Sequence, residues 1–303
     1  MTGADERAST WARRILGGVA AIAAIECAMA AWAYRDPLDD AAWSALAGAV
    51  AELPEDEPVV LATEWLGPSA RMHVPALARL EWVARADLRG WSRFHAIGFG
   101  AHWSAELTAD REDLSAPTRV DARDVGPFTI TTYEQAAAGS LVESLTSPVE
   151  ALVVADASGR CRGRGELRCS DGTVALRTAE IDYRPRHCLA LDVRDGAALR
   201  IERTRVATGD VIRGHVGFAD FNARLRNDSP VAFSVEVDGE IAARWTVTDA
   251  QGWWPFAVAT APGEHDVALL VDVGVGGRWN ARGYDGAATR TVCLEARALQ
   301  EGE

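Results

Sequence analysis

The sequence predicts a mostly β protein of the α+β class, with a single N-terminal transmembrane helix, a small α/β module and a C-terminal antiparallel β-sandwich. Three observations predict it. Residues 15–34 are an apolar run that carries one charge, Glu26. Residues 36–134 alternate between helical and extended patterns. From residue 149 onward, apolar and polar residues alternate with the period of two that is typical of strands.

The apolar run at 15–34 is long enough to cross the roughly 30 Å hydrocarbon core of a bilayer as a helix. Three arginines precede it, whereas one arginine and three acids follow it by residue 40. Because excess arginine marks the cytoplasmic flank, we expect residues 1–14 in the cytoplasm, an inner-membrane anchor, and an extracytoplasmic, periplasmic body. A cleaved signal peptide is the alternative, since residues 28–30 have the small-x-small form of a cleavage site, but the run exceeds the usual apolar length.

Glu26 makes membrane insertion marginal. An acid in a membrane helix costs roughly 2.5 kcal/mol or more, about as much as the strongly apolar residues of the run contribute together. One interpretation is a protonated or tolerated Glu26. The other is that Glu26 contacts a membrane-protein partner, with Gly18, Ala21 and Ala28 allowing close helix packing.

Composition excludes several classes of function. The chain has 303 residues, a net charge of −13 and no lysine, so all 31 basic residues are arginine. The absence of lysine excludes a Walker-type phosphate site and Schiff-base catalysis. The negative charge argues against nucleic acid and against docking on anionic lipid.

Four cysteines lie in the body of the chain, at Cys161, Cys169, Cys188 and Cys293. An even number in an exported region predicts two disulfides, for which three connectivities exist. The favoured pairing joins Cys161 to Cys169 locally and Cys188 to Cys293 over a long range. The alternative is four reduced, buried thiols, whereas the spacings do not match paired zinc ligands.

The module at 36–134 has helical periodicity at 39–53 and 75–86 and strand patterns at 59–62, 94–99, 120–123 and 128–133. An amphipathic helix, a Val-Val-Leu strand, a loop with Trp65 and a strand ending in glycine follow in that order. This order is similar to the extracytoplasmic C-terminal segment of some bacterial polytopic glycosyltransferases. The resemblance includes no catalytic motif, so it implies an accessory module.

Residues 135–173 are expected to form a linker with the Cys161/Cys169 loop, and residues 174–298 the sandwich. Alternating residues at 231–237 and 241–247 flank an Asp-Gly pair, which predicts a hairpin. Further alternating strands are predicted at 199–201, 212–218, 254–258, 267–273 and 292–296. At least seven such strands are typical of a β-sandwich.

Four segments of this region carry a resemblance: GDVIRGHVGFADFN, PVAFSVEVDGE, QGWWPFAVAT and HDVALLVDVG. They resemble the galactose-binding-like jelly roll, the sandwich of many carbohydrate-binding modules. The resemblance implies a glycan as ligand. No cofactor is expected, apart from the structural calcium that such modules can hold, and none of the family's calcium or sugar-stacking residues can be assigned here.

Two loops contain the residue types that bind sugars, because aromatic faces stack on sugar rings and planar polar groups bind hydroxyls. The candidates are Trp279, Asn280, Arg282 and Tyr284 in one loop, Asp220 and Asn222 in another, and the outward-facing Trp253. The alternative is structural. Trp279 then caps the sandwich, Asp220 and Asn222 serve a turn, and Trp253 packs under a neighbouring domain.

The sequence contains no Gly-x-Ser-x-Gly, His-Glu-x-x-His or Cys-x-x-Cys motif. His102 and Glu106 have a metal-compatible spacing, although a hydrogen-bonded histidine is the ordinary alternative. We therefore assign no catalytic residue and no metal site. The predicted function is glycan binding, or an accessory role in cell-envelope polysaccharide processing. The alternatives are a scaffold subunit recruited through the membrane helix and a glycan-active enzyme.

Overall fold

The structure is a computed structural model. It describes residues 16–29, 38–62, 66–78, 88, 91–99, 117–135, 139–181, 184–219, 230–248, 251–274, 278–280, 283–285 and 289–301. Three α-helices lie in this part of the chain: α1 at 16–29, α2 at Asp40–Ala51 and α3 at Gly67–His73. Two 3₁₀ turns span Pro75–Ala78 and Val149–Ala151.

The described residues form twenty strands, which are numbered here in chain order. The first ten are β1 Val59–Leu61, β2 Arg93–Phe99, β3 Thr118–Val125, β4 Phe128–Glu134, β5 Ser140–Ser144, β6 Val153–Asp156, β7 Gly159–Arg160, β8 Arg162–Arg164, β9 Glu166–Arg168 and β10 Gly172–Ile181. The others are β11 Arg184–Arg194, β12 Ala198–Thr208, β13 Val211–Phe218, β14 Val231–Val237, β15 Glu240–Val247, β16 Trp254–Ala259, β17 Gly263–Val273, β18 Arg278–Asn280, β19 Gly283–Asp285 and β20 Thr289–Gln300.

The N-terminal sheet has the strand order β1-β2-β4-β3, with β1 parallel to β2 and the other pairs antiparallel. Helix α2 begins where the sequence predicts, because the Asp39 carboxylate accepts a hydrogen bond from the Ala42 backbone at 2.8 Å. Its apolar face packs on the sheet, with Trp43 and Leu46 in one core with Phe128. These elements form a small α/β unit.

Two further sheets share one apolar core and form a β-sandwich. The eight-stranded sheet has the order β16-β13-β20-β11-β10-β9-β8, with β5 also on β20, and the six-stranded sheet has the order β15-β14-β17-β12-β6-β7. The inward residues include Leu189, Leu191, Val216 and Val292 from the first sheet, and Ile201, Phe233, Leu269 and Val271 from the second. Strand β20 lies inside the larger sheet and pairs with β11, β13 and β5.

The segment at 135–173, expected to be a linker, contributes five strands to the sandwich. Strand β5 pairs with β20, β6 with β12 and β9 with β10. Val154 and Leu167 are buried in the common core. These strands have two to five residues each, which is too short for an alternating pattern to be recognised in the sequence.

The structure contains both of the favoured disulfides. Cys161 and Cys169 are joined with Cα atoms 4.4 Å apart, and Cys188 and Cys293 with Cα atoms 5.6 Å apart. Cys27, on α1, is an exposed free cysteine. The long-range bridge joins β11 to its neighbour β20, the last described strand.

The expected transmembrane helix lies partly outside the described residues. Within the described part of the chain, no helix has both the length and the apolar character needed to cross a membrane.

Candidate ligand-binding end of the sandwich

Several strands of both sheets end together at one end of the sandwich, which we call the loop end. Val231, the first residue of β14, pairs with the last residues of β15 and β17, Val247 and Val273. In the other sheet, the end of β13 pairs with the start of β20 through Phe218 and Val292. The connecting segments 219–230, 248–253 and 274–288 therefore all begin and end here.

Backbone hydrogen bonds tie the loop end together. The Gly196 N–H, in the turn between β11 and β12, donates to the Val273 carbonyl at 3.0 Å. The Ala219 N–H donates to the Thr291 carbonyl at 2.9 Å. The bond from Gly196 connects the turn that follows β11 of the larger sheet with β17 of the smaller sheet. It therefore holds the two sheets together where the connecting segments emerge.

A buried ion pair lies at the same end. Arg290, near the start of β20, has its Nε atom 3.3 Å from Oδ1 of Asp195, and the side chains are 2% and 3% exposed. Burial of two charges is unfavourable unless each stabilises the other. Removal of one partner therefore leaves an uncompensated buried charge, which destabilises the fold. The pair therefore fixes β20 at the point where it follows segment 274–288.

Three of the predicted ligand residues lie on one hairpin within that segment. Strands β18 and β19 place Trp279 opposite Tyr284 and Asn280 opposite Gly283. Arg282, Asp220 and Asn222 lie outside the described residues. The strands that flank 219–230 nevertheless bring that segment to the same end of the sandwich as the hairpin.

Trp253 has a different environment from the one expected. Its ring stacks on the His215 imidazole, with centroids 5.4 Å apart and planes 7° from parallel, and the Arg186 guanidinium lies 5.9 Å from its centroid. It is half-buried on the outer face of the larger sheet, beside Ile181 and the Cys188–Cys293 disulfide. A Cβ atom added to Gly217 would lie 3.0 Å from its Cε3 atom. Trp253 thus packs on its own sheet, which is consistent with the structural alternative, and its role as a ligand residue stays a prediction.

A polar cluster beside Trp253 was not predicted from the sequence. Glu295 forms an ion pair with Arg297 on the same strand, and its Oε2 atom lies 3.6 Å from Nδ1 of His215 on β13. The Arg297 guanidinium lies 5.6 Å from the Trp91 ring centroid, so the cluster joins the sandwich to the α/β unit. His215 is 80 residues before Glu295 in the sequence, and the pairing of the adjacent strands β13 and β20 brings them together.

The described histidines of the α/β unit have structural environments. His95 is buried, with Nε2 hydrogen-bonded to Glu57 at 2.6 Å and Nδ1 to Thr132 at 3.0 Å. Burial lowers the pKa of His95, although the hydrogen bond to Glu57 opposes the shift. His73 stacks on Trp43 at 4.9 Å. His102 lies outside the described residues, among which no group of three potential metal ligands occurs.

The fold defines a two-sheet antiparallel β-sandwich protein with an added α/β unit. No family model and no curated protein matches the sequence. Solved structures similar to it include the CBM51-2 and INT domains of Clostridium perfringens ZmpB in complex with GlcNAc, at 15% identity and a TM-score of 0.30, covering 57% of this chain and 35% of that one.

A second similar structure is the CBM51 module of Clostridium perfringens GH95 in complex with methyl-galactose, at 13% identity and a TM-score of 0.27, covering 41% of this chain and 81% of that one. A third is a promiscuous carbohydrate-binding module of the β-sandwich superfamily, at 10% identity and a TM-score of 0.32, covering 58% and 69%. The chain spans about a third of the ZmpB structure. At these TM-scores the likenesses assign neither a family nor an activity, and the similarity to glycosyltransferase segments stays a prediction.

Proposed function

We propose that this chain binds glycans at the loop end of its sandwich. The observation that carries the proposal is the hairpin of β18 and β19, in which Trp279 lies opposite Tyr284, next to Asn280. Two aromatic residues and an amide in six residues of backbone are the groups that stack on a sugar ring and bind its hydroxyls. The segment with Asp220 and Asn222 begins and ends at the same end.

The base of this end supports a binding role. The Arg290–Asp195 pair and the backbone bond from Gly196 to Val273 fix the strands from which the segments emerge. A site on a fixed base loses less conformational freedom when it binds, which increases affinity. A buried charged pair is also a weak way to stabilise a fold, so a positioning role gives a reason for its presence.

The test is binding of the full chain to an array of bacterial envelope glycans, followed by calorimetry on each ligand found. We expect Trp279→Ala to reduce affinity at least tenfold, about 1.4 kcal/mol. Ile241→Ala is the matched control, because Ile241 is an exposed apolar side chain at the opposite end of the sandwich. Absence of glycan binding by the wild type, or equal affinity of Trp279→Ala, would contradict the proposal.

We also propose that residues 15–34 anchor the protein in the inner membrane, with its body outside the cytoplasm and a role in envelope polysaccharide processing. Every residue of α1 is exposed, and Leu16, Val19, Ile22, Ile25 and Met29 are 58–75% exposed. A helix that is apolar on all sides is stable only when something apolar surrounds it. The two disulfides agree with an oxidising compartment.

The anchor is tested by carbonate extraction of membranes from cells that produce the full chain or a variant lacking residues 1–37. We expect the full chain in the membrane pellet and the variant in the supernatant, and an identical distribution would exclude the anchor. The scaffold alternative predicts a partner at Glu26, which lies on this exposed helix. Glu26→Leu should then reduce co-purification of membrane proteins, whereas an unchanged set would exclude that partner.

A further inference from the structure

One edge of the sandwich is strongly basic in a chain of net charge −13. It consists of Arg160 on β7, Arg162 and Arg164 on β8 and Arg168 on β9, and we call it the arginine edge. All four residues are exposed. Glu166 is the one acid between them in sequence. Such a local reversal of charge indicates an anionic partner.

The edge belongs to both sheets. Strand β7 is the last strand of the six-stranded sheet, and β8 is the last strand of the eight-stranded sheet. The chain passes from one to the other at Cys161, which is buried in the common core. Because the neighbouring Leu167 also faces the core, Arg168 and its partner Arg162 lie on the outer face of the larger sheet. Arg160 lies on the outer face of the smaller one, opposite Ala155.

The edge is held rigidly. The Cys161–Cys169 disulfide closes it at its base. Asp156 accepts hydrogen bonds from the backbone N–H groups of Ser158, Gly159 and Asp171, at 2.8 to 3.1 Å. Its carboxylate thereby joins the β6–β7 turn to the turn before β10.

The positive charges on this edge are poorly compensated. Arg162 lies directly opposite Arg168 in the β8–β9 ladder, and like charges in that position repel each other. Glu166 contacts Arg168 at 3.1 Å, but with side chains 48% and 80% exposed the pair contributes little. Among the described residues, no acid forms an ion pair with Arg160, Arg162 or Arg164. An anionic ligand would relieve this repulsion.

We propose that the arginine edge binds an acidic polysaccharide, a chain with carboxylate or sulfate groups. Guanidinium groups bind such oxyanions through two parallel hydrogen bonds. Residues two apart on a strand are roughly 6.6 Å apart, so Arg162 and Arg164 can bind successive charges of one chain. A flexible chain can follow an edge that turns from one sheet to the other, whereas a flat bilayer contacts a plane. The proposal takes the glycan class of its ligand from the proposed function, but it does not use the loop end.

The test compares the double variant Arg162→Gln/Arg164→Gln with the wild type in titrations with polygalacturonate (carboxylate), a heparin oligosaccharide (sulfate) and neutral dextran. The matched control is Arg119→Gln/Arg205→Gln, which removes the same charge from two exposed residues elsewhere. We expect the edge variant to lose at least tenfold in affinity for one or both acidic chains. Its salt dependence should also weaken, and dextran should not bind at this edge.

Other outcomes would overturn the proposal. Equal losses in both variants would mean that net charge alone matters. Binding of the wild type to vesicles with anionic lipid but to neither acidic chain would identify a membrane surface. Unchanged affinity of the edge variant for the acidic chains, together with lost affinity of Trp279→Ala, would place all glycan binding at the loop end.

The variant Arg162→Lys/Arg164→Lys keeps the charge of the edge. It should therefore bind the acidic chains more tightly than Arg162→Gln/Arg164→Gln and less tightly than the wild type.

Discussion

The Arg200 guanidinium crosses strand β17 and makes two hydrogen bonds, of 2.6 and 2.8 Å, to the Glu236 carboxylate on β14. Arg200 also contacts Glu202 on its own strand at 3.2 Å. Its side chain passes over β17, where Ala268 faces outward and yet is only 1% exposed. One side chain therefore joins three neighbouring strands on the outer face of the six-stranded sheet.

The first prediction concerns this bridge. The hydrogen bond from Arg200 lowers the pKa of Glu236 below its ordinary 4.5, so the stabilisation is present above that pH and is lost as the pH falls through the lowered value. Glu236→Gln should therefore reduce the free energy of unfolding by about 1 kcal/mol at pH 7, since Arg200 is partly exposed to solvent. Urea denaturation of the wild type and Glu236→Gln at pH 7 and pH 3 measures the difference between their free energies of unfolding. If this difference is as large at pH 3 as at pH 7, the assignment is contradicted.

The second prediction concerns His95. Burial lowers its pKa from 6.5, so the folded state takes up a proton less readily than the unfolded chain. Its contribution to stability is therefore complete above pH 6.5 and decreases as the pH falls below that value. His95→Gln should be less stable than the wild type by roughly 1–3 kcal/mol at pH 8, because Glu57 and Thr132 lose a partner.

The measurement is the free energy of unfolding of wild type and His95→Gln between pH 8 and pH 5. The gap between the two should narrow with acidification, since the variant cannot be protonated at this position. His73→Gln is the control, because His73 is an exposed histidine. A gap that stays constant from pH 8 to pH 5 would be incompatible with a depressed pKa at His95.

The third prediction ranks the disulfides. Cys188 and Cys293 are 105 residues apart, whereas Cys161 and Cys169 are 8 apart. On the chain-entropy model, removal of the long bridge lowers the free energy of unfolding by about 4.8 kcal/mol and removal of the short one by about 2.5 kcal/mol. Guanidinium denaturation of the two double alanine variants gives the comparison, with Cys27→Ala as the unaffected control. The reverse order would show that effects in the native state outweigh chain entropy.

The fourth prediction separates the two tryptophans. Trp253 packs on Gly217 and His215, so Trp253→Ala should lower stability by about 2–3 kcal/mol and leave glycan affinity unchanged. Trp279→Ala should reduce glycan affinity and leave the stability unchanged. Calorimetric titration and thermal unfolding of both variants decide the matter. Loss of glycan affinity in Trp253→Ala at wild-type stability would make Trp253 a ligand residue after all.

The sequence was most informative for the hairpin of β14 and β15. The Asp-Gly pair forms its turn, with φ of 52° at Asp238 and 86° at Gly239. The alternation at 241–247 predicts that Ile241 shares the inward face of Val247, but Ile241 is 52% exposed whereas Val247 is buried. The register shifts between Val235 and Glu236, which places Ile241 opposite the outward-facing Glu236. A bulge of one residue reverses the face of every residue beyond it, and the alternating pattern does not reveal it.

The candidate site was less accessible to sequence reasoning. Residue types identified Trp279 and Tyr284 as candidates, but only the pairing of distant strands shows that their hairpin and segment 219–230 emerge together. The Arg290–Asp195 pair has no local signature, because its partners are 95 residues apart. The packing of Trp253 could not be predicted for a similar reason, since Gly217 and His215 come from another strand.

The position of β20 has a consequence for biosynthesis. This strand is made after all the strands it joins, and β11, β13 and β5 each pair with it. The eight-stranded sheet therefore cannot be completed until the ribosome has produced β20. The Cys188–Cys293 bond also cannot form before β20 has been made. Long-range pairing of this kind is slow and leaves strand edges exposed in the meantime. The edges of β11 and β13 that face β20 therefore stay unpaired until residues 289–300 have left the ribosome.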